Sequence, residues 1–109
     1  MLTRGDRVLL RRRPETGLLG GMAEPPGTPW RAEAWSRAQA LASAPAAADW
    51  RSAGAVAHVF SHFALDLTVM RAAAPRGFRP KEGWWAPVDA LDDEALPSVM
   101  RKALALGLG

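Results

Sequence analysis

Residues 55–70 read AVAHVFSHFALDLTVM, and apolar and polar positions there alternate with the two-residue period of a strand. Val56, His58 and Phe60 fall on one face before the centre. Beyond it Phe63, Leu65, Leu67 and Val69 share a face, with Ala64, Asp66 and Thr68 opposite. The phase slips between Phe60 and Phe63, where Ser61 and His62 separate two apolar faces that do not line up. Such a slip predicts a bend, a bulge or a tight hairpin tip, with Phe60, Ser61 and His62 projecting together from the end of a sheet. The plainer alternative is one long bulged strand, with Phe60 in the core and both histidines satisfied by nearby backbone.

The flanking pattern supplies the other elements. Residues 6–13, DRVLLRRR, read as a strand with Val8 and Leu10 on one side and Leu9 on the other. Pro14-Glu15-Thr16-Gly17 is turn chemistry, and it predicts a hairpin that returns at Leu18 and Leu19. Arg11, Arg12 and Arg13 then sit near its mouth, either as a solvated edge or as phosphate contacts. Residues 20–27 carry too many glycines and prolines for a long regular element and read as a short strand followed by an ordered loop. Thr28 and Pro29 predict a helix start, as N-cap and first helical residue. That helix runs over residues 30–43 with Trp30, Ala34, Ala38 and Leu41 along one face. Residues 44–48 form a loop around Pro45, and residues 74–77 a turn. Residues 83–88 read as a short strand that puts Trp84 and Trp85 on opposite faces. The acidic residues 89–95 hold a short helical turn. Leu96-Pro97-Ser98 opens a last helix, closed by Gly107 at its C-terminal cap. This order predicts an α+β sandwich. The first strand begins near Arg7, an abrupt start that suits a piece of a longer polypeptide.

Composition narrows the chemistry. A length of 109 residues fits one domain, residues 1–109, with one sizeable core. There is no cysteine, which excludes disulfides, thiol nucleophiles and cysteine-held zinc or iron–sulfur sites within these residues. Two histidines are too few for a histidine-rich metal site. The net charge of +3 comes almost wholly from arginine, Lys81 and Lys102 being the lysines. That excess is compatible with nucleic acid, although an arginine- and alanine-rich chain is also what a GC-rich genome encodes. No apolar run approaches the ~18 residues of a membrane span, and no secretion signal follows Met1. The expectation is a cytoplasmic protein without membrane contact. Ser61 between His58 and His62 does not make a nucleophile constellation, because neighbours on a strand point to opposite faces and no carboxylate but distant ones such as Asp66 is there to orient an imidazole.

A glycine-rich strand ahead of the first helix, and a Trp-x-Pro-x-Asp stretch at Trp85, Pro87 and Asp89 before the last, resemble the Nudix fold. That resemblance implies an α/β/α sandwich with a mixed, mostly antiparallel sheet. Active Nudix hydrolases need several carboxylates within one or two helical turns, because magnesium on a diphosphate takes hard oxygen ligands. Here the corresponding helix offers Glu33, with Glu24 in the loop before it. A divergent Nudix pyrophosphohydrolase acting on an oxidised nucleotide is therefore the competing enzyme reading, and the sparse carboxylates count against it.

Five stretches in order carry a second resemblance: RVLLRRRP at residues 7–14, GLLGGM at 17–22, HVFSHF at 58–63, WAPV at 85–88 and LPSVMRKAL at 96–104. Together they resemble the C-terminal domain of adenine DNA glycosylases, the MutY family, with departures at Ala23 and Pro25, where relatives often have tryptophan and another apolar residue. The resemblance implies a catalytically inert Nudix-like domain that recognises 8-oxoguanine opposite adenine in double-stranded DNA. Phe60, Ser61 and His62 are then the lesion-reading element. It implies as partner an N-terminal catalytic domain of the same chain, which holds the excision chemistry and an iron–sulfur cluster. No cofactor or metal is implied for these residues, and the setting is bacterial cytoplasm, at the nucleoid when bound to DNA.

Overall fold

The computed structural model describes residues 1–109. Its strands are β1 (Leu2–Arg4), β2 (Arg7–Arg12), β3 (Ala23–Glu24), β4 (Arg51–Val59), β5 (Ala64–Ala73) and β6 (Trp84–Pro87). Its helices are α1 (Arg37–Ala42), a 3-10 helix (Val88–Asp93) and α2 (Ser98–Leu108). The sheet runs β3-β2-β1-β5-β4, with β6 also paired to β2. β1 lies parallel to β5, Leu2 opposite Ala72, and every other pairing is antiparallel. This is the mixed, mostly antiparallel sheet of a Nudix-like α+β fold.

Two apolar layers hold it. The larger gathers Val8, Leu10, Ala23, Val69 and Ala86 of the sheet beneath Val99, Met100, Ala103 and Leu104 of α2. These helix positions recur at helical spacing, so one stripe of α2 faces the sheet. The smaller gathers Leu2, Leu9 and Ala72 under Trp50, Phe78 and Trp85. The layering is uneven: α2 covers one face, while the other is covered by loop side chains. Trp84 joins the larger layer and Trp85 the smaller, so the tandem tryptophans do straddle the sheet. Ala23 is buried, and its small side chain sits in the larger layer.

Four sequence expectations are corrected. A strand precedes Arg7: β1 covers Leu2–Arg4 and is stitched to β5 by the Ala72 N–H donating to the Met1 carbonyl at 3.1 Å. The hairpin after β2 does not return at Leu18 and Leu19. The chain continues through a turn to Met22, whose carbonyl accepts from the Arg13 N–H, and only then pairs as β3. The first helix does not begin at Thr28. It spans only Arg37–Ala42, with Ser36 as N-cap and a Ser36–Gln39 capping box. Ahead of it, side chains satisfy the loop backbone: Trp35 Nε1 donates to the Pro29 carbonyl, and Arg31 donates to those of Glu33 and Ala34. Gly107 is no cap, since α2 runs past it to Gly109. A Cβ there would strike the Met1 thioether and come within 3.2 Å of Val69 Cγ1, so glycine lets α2 approach the sheet.

The Met1 amino group donates to the Met70 carbonyl. Burial, and then the positive charge of Arg71, lower its pKa to about 6.

Candidate nucleic-acid interface

β4 and β5 form the longest hairpin of the chain, paired from Arg51 opposite Arg71 to Val59 opposite Ala64. A bulge between Ser52 and Gly54 bends β4, and Gly54 takes φ +120° beneath Leu106 of α2. Val56, Leu65 and Leu67 turn one side of the hairpin toward the larger core. On that side Lys102 of α2 meets His58 Nδ1 at 3.1 Å, which makes Nδ1 the acceptor.

The phase slip read from the sequence is the hairpin tip. The Phe60 N–H donates to the Phe63 carbonyl at 2.8 Å, and Ser61 and His62 span the bend, both exposed. Phe60 itself is half-buried. Its ring packs on Phe63 in a stacked pair 4.8 Å apart, on the edge of His58 at 4.7 Å, and on Trp30 at 5.9 Å. Thus the single long strand is not what forms, although Phe60 keeps one side against the core as that alternative held.

β2 runs antiparallel to β1 while β5 runs parallel to it, so the C-terminal end of β2 lies at the same end of the sheet as the tip. Arg11, Arg12 and Arg13 are there, but they do not act alike. Glu24 is buried and takes Arg11 Nε at 3.0 Å on one oxygen and an Arg13 terminal nitrogen at 2.7 Å on the other. Arg13 also lies over the Trp30 ring, 4.4 Å from its centre. Arg12 turns to Trp84 instead and donates to the Gly21 carbonyl. Arg11, which also reaches exposed Glu82 at 3.5 Å, and Arg13 are therefore engaged inside the chain, and Arg12 is the exposed guanidinium of the three.

Glu24 is thus a strand residue, not the loop residue read from the sequence. An acid on a return strand facing arginines is a cross-strand pair in waiting, and that spacing was the available signal. Trp30 carried no such signal, because its helical assignment pointed it along a helix that does not form. Glu33 is exposed, α1 has no acid in its first turn, and no cluster of three or more His, Asp or Glu side chains forms a metal site. With one carboxylate engaged by two guanidiniums and the other isolated, the arrangement offers no hard-ion cradle.

The architecture agrees with its relatives. No curated protein sequence matches the chain. Among solved structures it resembles the C-terminal domain of mouse MUTYH, determined in complex with human PCNA. The TM-score is 0.72 at 26% identity, over 94% of this chain and 75% of that one. The NUDIX domain family model matches residues 1–106. The chain therefore belongs to the NUDIX domain family, as a MutY-like C-terminal domain.

Proposed function

We propose that this domain reads 8-oxoguanine opposite adenine on behalf of an A/G-specific adenine DNA glycosylase, without catalysing a reaction itself. The carrying observation is the exposed Ser61 and His62 at a tip braced by Phe60, Phe63 and Trp30. 8-Oxoguanine differs from guanine in a protonated N7 and an oxygen at C8. A serine hydroxyl accepts from that N–H, yet it can also donate to the bare N7 of guanine, so Ser61 discriminates modestly and backbone and shape add the rest. His62 donates to a phosphate or base edge, more readily when protonated. The base excision itself, and the iron–sulfur cluster, belong to an N-terminal catalytic domain of the parent chain. The hydrolase alternative gains nothing, because Glu24 spends both oxygens on arginines.

The test is single-turnover adenine excision by the intact glycosylase carrying Ser61→Ala, on 8-oxoguanine:adenine and guanine:adenine duplexes. Preference for the lesion is expected to fall by roughly 1–3 kcal/mol at most, the scale of one base-edge contact, with thermal melts unchanged. An unaltered preference removes Ser61 as the reader.

A further inference from the structure

The tip presents its two phenylalanines unequally. Phe60 is half-buried, with Trp30, His58 and Phe63 around its ring. Phe63 is 42% exposed. Behind them the contacts continue: Glu24 holds Arg13, Arg13 lies over Trp30, Trp30 packs on Phe60, and Phe60 stacks on Phe63. The row begins at a buried carboxylate and ends at an exposed aromatic residue beside Ser61 and His62.

We infer that Phe63 is the ring that stacks on a nucleobase, and that Phe60 is its rear support. Three physical points carry this. A ring enclosed on three sides can enter a base stack only by giving up those contacts, whereas Phe63 has an open surface already. A stacked partner at 4.8 Å, at an interplanar angle of 25°, fixes the orientation of the exposed ring before DNA arrives, so little side-chain freedom is lost on binding. And an aromatic face reads any base, because every base has a π-face, which leaves identity to the polar pair beside it. Phe63 thus supplies affinity and Ser61 preference. The inference rests on the lesion-reading proposal for the tip as a whole, but the two separate experimentally.

The measurement is fluorescence anisotropy of the 109-residue chain with labelled 8-oxoguanine:adenine and guanine:adenine duplexes at low salt, with a thermal melt of each variant. Phe63→Ala and Phe63→Leu are each expected to lose about tenfold in affinity on both duplexes. Phe63→Trp should bind as tightly as the parent or more so. Phe63→Leu guards against a folding artefact, since leucine keeps the apolar contact with Phe60 and lacks only the π-face. Phe60→Leu should lose about two- to threefold, through a less well-held Phe63. Binding by Phe63→Leu within about twofold of the parent overturns the inference, as does a larger loss from Phe60→Leu than from Phe63→Leu, or no measurable binding by the parent chain. A tenfold loss in a chain that shows no lesion preference leaves the stacking ring standing and removes the lesion reading. A preference abolished by Ser61→Ala while Phe63→Leu binds normally does the reverse.

Discussion

Replacing Glu24 by alanine removes the one carboxylate shared by Arg11 and Arg13, and the outcome separates a structural acid from a catalytic one. Breaking a fully buried ion pair by deleting one partner costs about 3–5 kcal/mol, mostly from the charge left behind. Here the charges left behind are not fully buried: the Arg11 and Arg13 side chains are 28% and 18% exposed. Arg11 also keeps the Gly27 carbonyl and the Glu82 carboxylate at 3.5 Å, and Arg13 keeps the Leu18 carbonyl. Solvent and these carbonyls absorb part of the loss, which brings the expected cost to about 2–3 kcal/mol. At about 4 °C per kcal/mol for a domain of this size, the melting temperature drops by about 8–12 °C. Glu24→Gln, which keeps the shape and one good acceptor, is expected to lose about half as much. Calorimetry and urea unfolding measure both, beside an assay for nucleoside triphosphate and nucleotide-sugar hydrolysis with magnesium or manganese. No turnover is expected from the parent or either variant. If Glu24→Ala unfolds within about 0.5 kcal/mol of the parent, the carboxylate is not a structural tie. Turnover that Glu24→Ala abolishes would place it in a metal site, and the hydrolase reading would return.

Three further outcomes follow from the same geometry. DNA binding by the isolated chain should be micromolar or weaker and fall with added salt; with Arg11 and Arg13 occupied by Glu24, the log–log slope should be about −1 to −2, and affinity that is flat in salt refutes phosphate contact. In the 109-residue chain the Met1 amine titrates at about 6 when folded against 8.0 when unfolded, so below pH 6 both states are protonated and above pH 8 neither is. Stability should therefore rise by at most roughly 3 kcal/mol between those limits, and N-terminal acetylation should flatten that rise in denaturant titrations. Gly107→Ala gains about 1 kcal/mol of helix propensity but overpacks Met1 and Val69, leaving a net loss of about 1 kcal/mol; a higher melting temperature would mean α2 has room to move.

What was legible in the chain was what local pattern controls. The alternation of Val56, Leu65 and Leu67 gave both strands of the hairpin, and its slip at Ser61 and His62 gave the tip. Tandem Trp84 and Trp85 announced a strand with one tryptophan on each face. The misreadings came where distant partners decide. β1 is held on one edge by neighbouring β2 and on the other by distant Ala72, and three residues hold too little pattern to announce it. Thr28-Pro29 has good helix-start chemistry, yet Trp30 is drawn out of any helix by Phe60 and Arg13. Gly107 had the composition of a cap and the position of a packing site. At the candidate site, Ser61 and His62 were readable from the slip, whereas the exposure of Phe63 over Phe60 depends on Trp30 arriving from elsewhere in the chain.

The parallel pairing of β1 with β5 also bears on how the molecule assembles. Val59 and Ala64 face each other across a tip of four residues, so the β4–β5 hairpin closes a short loop. Hairpins of this kind form in about 1–10 μs. Leu2 must wait for Ala72, and closing so long a stretch carries an entropy cost that only the finished core repays. During synthesis β1 emerges before β5 and can pair at once with β2, but its other edge stays open until Ala72 arrives, while the tip hairpin can take shape as soon as both its strands are out. The tip hairpin is thus among the early native pieces available to the folding chain, and the β1–β5 seam that joins the two halves of the sheet is among the last.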